Sequence, residues 1–301
     1  DWVWPYWIER QFDPRDPAFI PRSFSISHIN LTHRNWTAIG YPDCEELPIV
    51  DPRGLVTPFL DGWSIDCWIV TDDGRRLLPS RAPAVKQWQE FDQGTAIVTQ
   101  SAEANLELTT RATVTFAAGQ AECQLHATAG TDTAGWLILS LRPCNPEGVS
   151  FINQVELVGE GREWSIDKNH RVGFSEPVVQ HHVSDYHHGD VSIYLNDNSQ
   201  SYQGSCKADM VTAAAMFPLQ PGAERTVTAT IPLRDQQNIA PLQDNAWTQL
   251  REQACKLNCP DPSYQMLYDA AVSSLILHSP NDVFPGPYTY KRFWFRDAAF
   301  L

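Results

Sequence analysis

The clearest hydrophobic patterning lies between residues 94 and 231, where short runs rich in Val, Ile, Thr and aromatics alternate with turn residues. The runs 94–100 (GTAIVTQ), 105–116 (NLELTTRATVTF), 121–128 (AECQLHAT), 135–142 (GWLILSLR) and 151–158 (FINQVELV) predict strands. So do 191–195 (VSIYL), 210–217 (MVTAAAMF) and 225–231 (RTVTATI). Several show the period of two that sends successive side chains to opposite faces of a sheet, as at Leu106 and Leu108 or Val114 and Phe116. Ala118-Gly119, Gly130-Thr131-Asp132 and Gly159-Glu160-Gly161 punctuate these runs as turns. Residues 1 to about 90 are rich in Trp, Pro and Asp and less periodic, although Gly62–Val70 has strand character.

About a dozen short strands with no helical period between them predict antiparallel packing, because parallel neighbours need crossover helices. Spread over more than 200 residues, they exceed one immunoglobulin-sized sandwich. The expected fold is therefore mainly β, a large antiparallel two-sheet sandwich.

The period changes after Pro232. Residues 245–257 (NAWTQLREQACKL) place Trp247, Leu250, Ala254 and Leu257 at helical spacing. Asp261-Pro262 has the chemistry of an N-cap followed by proline at the first helical position. Met266, Leu267, Ala270, Ala271, Ser274 and Leu275 predict a broad apolar face on the helix that follows, and Ser279-Pro280 ends it. Beyond a Pro/Gly loop comes 288–297 (YTYKRFWFRD), and Ala298-Ala299-Phe300-Leu301 opens a new apolar helical pattern. An uncapped apolar run leaves its carbonyls and apolar face without partners, so these residues are expected to begin a further domain. The expected division is a sandwich domain over 1–232, a helical linker over 233–261 and the start of a helical domain over 262–301.

Composition narrows the function. Hydrophobic residues make up 43% of the 301 and aromatics 11%, which excludes global disorder. A net charge of −14 disfavours binding a phosphate backbone, so nucleic acid is not an expected partner. No apolar run approaches the roughly 18 residues of a membrane span, so no membrane is expected either. Cys44, Cys67, Cys123, Cys144, Cys206, Cys255 and Cys259 are scattered and odd in number, which reads as reduced, mostly buried thiols. Cys255 and Cys259 could share a helix face, but two thiolates do not complete a zinc site. The opening DWVWPYW has neither a leader pattern nor a start methionine, and a cytoplasmic location is expected. The sequons Asn30-Leu31-Thr32 and Asn35-Trp36-Thr37 matter only in a secreted protein. No Walker loop, GxSxG or dinucleotide fingerprint is present, and no cofactor is expected.

Three clusters could carry chemistry. The run His181-His182-Val183-Ser184-Asp185-Tyr186-His187-His188-Gly189-Asp190 could bring imidazoles and a carboxylate together on a metal. Adjacent histidines on a strand point to opposite faces, however, so the preferred reading is a solvated polar loop without metal. Trp2, Trp4, Tyr6 and Trp7 could form a stacking platform, but an apolar strap is the preferred reading. His126 and His170 read as ordinary sheet and loop residues. The third cluster is Phe293, Trp294, Phe295, Arg296 and Asp297 at a loop-to-helix junction. An aromatic wall suits the C–H face of a sugar ring, and a guanidinium beside a carboxylate suits its hydroxyls. The same residue types also make an Asp N-cap beside a structural salt bridge.

The run Tyr290, Trp294, Arg296, Asp297 keeps a Y-x3-W-x-R-D spacing and resembles glucoamylase-like enzymes, the family 15 glycoside hydrolases and their relatives, near the start of their helical toroid. That resemblance implies that Arg296 and Asp297 bind hydroxyls of a terminal sugar, that Trp294 forms a wall, and that Tyr290 sits beside them. It also implies a β-super-sandwich, a helical linker and the first helices of a truncated (α/α)6 toroid. Leu141–Gly148 (LRPCNPEG) resembles an RPxNPEG stretch of uncharacterised bacterial relatives. Inverting glycosidases need a general acid and a general base about 6.5–9.5 Å apart. In the family both are glutamates on later toroid helices, so they are expected beyond Leu301, and no catalytic residue is assigned within the chain. The expected function is the N-terminal portion of an inverting hydrolase of terminal α-glucosidic bonds in an oligosaccharide or polysaccharide. Two alternatives stay open: a glycoside phosphorylase of the same architecture, and a non-catalytic carbohydrate-binding or structural sandwich protein. Homo-oligomerisation is compatible with each.

Overall fold

The computed structural model describes residues 36–91, 94–117, 119–146, 148–197, 199–233, 245–280 and 282–286, together with 13, 15 and 293–295. Two large sheets dominate. The first is built, in spatial order, from β1 (Thr37–Ala38), β2 (Ile49–Val50), β3 (Val56–Thr57), β4 (Ser64–Thr71), β10 (Gly135–Arg142), β18 (Val211–Leu219) and β16 (Gln180–Asp185). A short β5 (Arg76–Leu77) also pairs with β4. The second runs β17 (Gln203–Ser205), β13 (Gln154–Val158), β14 (Glu163–Ile166), β15 (His170–Phe174), β19 (Arg225–Pro232), β9 (Gln120–Thr131), β8 (Leu106–Ala117), β7 (Ala96–Glu103) and β6 (Val85–Glu90). A small hairpin of β11 (Cys144–Asn145) and β12 (Gly148–Val149) stands apart. Every ladder among the described residues is antiparallel, as expected, and one isolated bridge, Ile152 to Met210, is parallel.

The two sheets bury their faces differently, and the sequence explains why. In β9, Ala121, Cys123, Leu125, Ala127 and Ala129 are buried while the residues between them are partly exposed. One face of that sheet packs on the core and the other meets water, which produces the clean alternation. In β4 all eight residues are buried. Its outer face is covered by a second layer, in which Trp68, Val70, Ile138, Ala214 and Met216 pack against Val191 and Leu195. Central strands covered on both faces read as continuous apolar runs.

That covering segment corrects one expectation. Residues 191–195 are not a strand; Val191–Ile193 form a 3-10 turn, with Asp190 accepting from the Ser192 amide at 3.0 Å. The short polar side chain of Asp190 captures that local donor, and Val191 and Leu195 fold down onto the sheet. The run 151–158 pairs as a strand only from Gln154. The strands β14, β15, β16 and β17 were not predicted, being short and polar.

Between the sheets lies an aromatic cluster. Trp164 on β14 meets Phe174 on β15 edge-on at 4.9 Å, and Phe174 meets Phe217 on β18 at 5.8 Å. Both sheets thus contribute to one core. At Gly135, where β10 crosses β4, an added Cβ would lie 2.4 Å from the Val70 carbonyl oxygen. Only glycine permits that approach.

Two helices follow the last strand, α1 (Ala246–Gln253) and α2 (Pro262–Leu277). Helix α2 begins as its sequence predicts: Asp261 accepts from the Ser263 amide at 2.8 Å, with Pro262 at the first helical position. Its predicted apolar face does not dock. Met266 is 50% and Leu267 58% exposed, and Leu275 is exposed too. The opposite side packs instead, through Val272, Ser273, Ile276 and Leu277. Leu277 is buried against Gly40 and Leu47, the packing that decides the orientation. No described helix is long and apolar enough to cross a membrane.

Candidate functional site

Of the four residues that the sequence singles out, Trp294 is the one the structure places. Tyr290, Arg296 and Asp297 lie outside the described residues, as do Trp2, Trp4, Tyr6 and Trp7. Trp294 is half-buried between Phe293 and Phe295, both exposed. The two phenyl rings stand edge to face, 6.3 Å apart at 80°. The described geometry here is thus a local aromatic cluster in which two rings face outward.

The helical pair is tied to the sandwich by Arg251 of α1. Its guanidinium donates to the carbonyls of Phe91 and of Gly94 (3.1 Å), and to the Ser273 hydroxyl (3.3 Å) on α2. The same group lies 4.9 Å from the centre of the Trp247 ring. Beside this anchor a groove of about 390 Å³ opens between α1, α2 and Phe91, with Cys255, Tyr268 and Asp269 on its walls. The Tyr268 hydroxyl donates to the Cys255 carbonyl at 2.6 Å.

The histidine run divides in two. His181 and His182 are not in a solvated loop; both lie on β16 and both are buried. His181 accepts from the Trp164 indole N–H at Nε2 (2.8 Å) and donates from Nδ1 to the Ser201 carbonyl (2.6 Å). Burial pushes its pKa down to about 4, against the smaller opposing effect of the Ser201 hydrogen bond. The neutral form with the proton on Nδ1 is thereby fixed. His182 Nε2 meets the Gln180 amide at 2.9 Å, and burial lowers its pKa as well. His187 and His188 sit on an exposed turn, as expected for that half. Among the described residues, no three His, Cys, Asp or Glu side chains converge as a metal cluster.

His126 and His170 have partners that the sequence did not reveal. His126 Nδ1 pairs with the Thr228 hydroxyl at 2.9 Å, and burial and nearby Arg111 lower its pKa. His170 begins β15 and packs against Phe59, the two rings tilted by 33° with centres 4.6 Å apart. None of the seven cysteines is in a disulfide; five are buried, Cys255 is exposed and Cys259 is half-buried. Burial pushes the Cys123 thiol up to about 12, so it stays protonated and inert.

A buried ion pair escaped the sequence reading. Arg142 donates to Asp190 at 2.5 Å, to the Ser140 hydroxyl at 3.1 Å, and lies 4.8 Å from the Trp68 ring centre. Arg142 belongs to the LRPCNPEG stretch, which makes further contacts within the sandwich. Asn145 donates to the Gly62 carbonyl at 3.0 Å, and the Ser64 hydroxyl donates to the Cys144 carbonyl at 2.6 Å. The available signal was an Arg at the end of an apolar strand, where a buried cation demands a carboxylate. Its partner, 48 residues away, had no local mark.

No protein-family model and no curated protein sequence matches the chain. Structures similar to it include a bacterial glucoamylase complexed with acarbose, at 10% identity and a TM-score of 0.44, covering 80% of this chain and 37% of that one. A protein described as a kojibiose phosphorylase, from the human microbiome, aligns at 12% identity and a TM-score of 0.32, over 72% of this chain and 30% of that one. A GH92 α-mannosidase from Bacteroides thetaiotaomicron aligns at 10% identity and a TM-score of 0.40, over 80% and 35%. The chain spans about a third of the length of these structures.

Proposed function

We propose that the chain is the sandwich and first helices of a glucoamylase-like inverting glycoside hydrolase acting on terminal α-glucosidic bonds. The observation that carries this reading is the Tyr290-x3-Trp294-x-Arg296-Asp297 run, which follows the two-sheet sandwich and α2 in the sequence. In this reading Trp294 offers a wall to the sugar ring, Arg296 donates to its hydroxyls and Asp297 accepts from them. Tyr290 sits beside them. The sandwich corresponds to 1–232, the linker to 233–261 and the start of the toroid to 262–301. No general acid or base is assigned within these residues, so hydrolysis needs two glutamates from further toroid helices.

The test is calorimetric titration with acarbose of the protein carrying a complete toroid, comparing the wild type with Asp297→Ala. A charged hydrogen bond to a buried hydroxyl is worth about 1.5–3 kcal/mol, so the variant should bind about ten- to a hundredfold more weakly. Equal affinity in the two proteins, or no binding by the wild type at millimolar acarbose, would refute the site.

A further inference from the structure

The two sheets meet edge to edge at β16 and β17, and the seam holds a cleft of about 200 Å³. We infer that this cleft binds one uncharged, hydroxyl-rich ligand, a single saccharide unit. Its walls come from Asp185, His188, Tyr194, Gln203, Gly204 and Ser205. They belong partly to the histidine run, which the proposed function leaves unused.

Hydrogen bonds tie the walls of the cleft together. Asp185 Oδ1 accepts from the His187 amide at 2.8 Å, the His188 amide at 3.2 Å and His188 Nδ1 at 2.8 Å. The imidazole is thus oriented, with Nε2 facing no protein partner among the described residues. The Tyr194 hydroxyl donates to the His188 carbonyl at 2.8 Å, and the Ser184 hydroxyl donates to the Gly189 carbonyl at 2.7 Å. Behind the turn, Asp190 is held by its buried pair with Arg142. At Gly204 an added Cβ would lie 2.3 Å from Val183 Cγ1, so the edge strands meet with no side chain between them.

Among the described residues, four polar groups on these walls have no hydrogen bond to protein: Asp185 Oδ2, His188 Nε2, the Gln203 amide and the Ser205 hydroxyl. A carboxylate oxygen and an imidazole nitrogen accept, whereas the amide and hydroxyl both donate and accept. A vicinal diol matches that mixture, donating to the first pair and accepting from the second. The Tyr194 ring offers a flank for ring C–H groups. No Lys or Arg lines the cleft, which disfavours phosphate or carboxylate ligands. An ammonium ligand would leave the Gln203 N–H donors unused. The volume falls below the roughly 300 Å³ of drug-sized pockets, which suits one sugar ring.

The experiment uses the full chain with ¹⁵N-labelled histidine, following imidazole resonances during titration with methyl α-glucoside, methyl α-mannoside and maltotriose. The His188 Nε2 resonance should shift saturably with at least one of them while the His126 resonances stay in place. Gln203→Ala should weaken that response at least fivefold, and the exposed position makes misfolding no obstacle. Asp297→Ala should leave the response intact, so the cleft can stand or fall separately from the 290–297 site. A stationary His188 resonance with all three sugars overturns the inference. So does an undiminished response in Gln203→Ala, or a response to ethylenediamine but to no sugar.

Discussion

Trp164 and His181 are hydrogen-bonded to each other inside the sandwich, indole Nε1 to imidazole Nε2 at 2.8 Å. One lies on β14 of the second sheet and the other on β16 of the first, so the bond ties the two layers together. It requires an unprotonated Nε2. A proton there would set two donors against each other in a buried site, where an unmatched polar group costs about 1–3 kcal/mol.

This tie predicts a pH dependence of stability. The unfolded imidazole takes up a proton below its ordinary 6.5, whereas the folded one resists until about 4. The unfolded state therefore binds more protons across that window, so stability is complete above 6.5 and is lost as pH falls towards 4. At 1.36 kcal/mol per unit the loss is roughly 3 kcal/mol. Urea unfolding of wild type and His181→Gln at about pH 7 and about pH 4.5 isolates this contribution from His126, His182 and His278, which burial also lowers. An equal pH slope in both proteins would show that His181 is not its source.

The buried Arg142–Asp190 pair makes a second prediction. Asp190→Ala strands a guanidinium that is almost wholly enclosed and also removes the cap of the Val191 turn. Loss of one partner of such a pair costs about 3–5 kcal/mol. Adding Arg142→Met should restore part of that loss, because the stranded charge is gone. A single-variant loss under about 1 kcal/mol would mean that water reaches the site.

At Gly204 the contact with Val183 is steric. Gly204→Ala should destabilise the seam by about 1–3 kcal/mol, the usual range for overpacking, and Val183→Ala in the same chain should relieve it. Denaturation midpoints of the single and double variants test the pairing. Additive losses would show that the two positions do not meet.

Asp261→Ala removes the side-chain cap of α2 and should cost about 1 kcal/mol. Faster amide exchange over Ser263–Gln265, with unchanged protection in β8 and β9, is the expected signature. Unchanged exchange throughout would mean that the helix start is held by packing alone.

What the sequence made legible follows from how far its signals reach. Strands such as β8 and β9 show a period of two because one face is wet, and the Asp261-Pro262 cap is written in adjacent residues. The apolar content of α2 was legible but its orientation was not, because Leu277 docks on Gly40, which a local pattern cannot indicate. His181 read as polar and solvated, since the indole that satisfies it lies 17 residues away on the opposing sheet. The 290–297 site rests on spacing, and of its four residues Trp294 alone is described.

The order of the strands has a kinetic consequence. The twelve paired positions of β8 and β9 are joined by a two-residue connection, so that ladder closes almost no loop. In the other sheet, β10 pairs with β4, which ends at Thr71, and with β18, which begins at Val211. Those central ladders must enclose long stretches of chain before a single hydrogen bond rewards them, and distant pairing of that kind folds slowly. The long hairpin should therefore assemble early and wait for its opposing layer. During that interval its row of Leu106, Leu108, Leu125 and Ala127 stays uncovered, the period in which the nascent chain is most prone to aggregate.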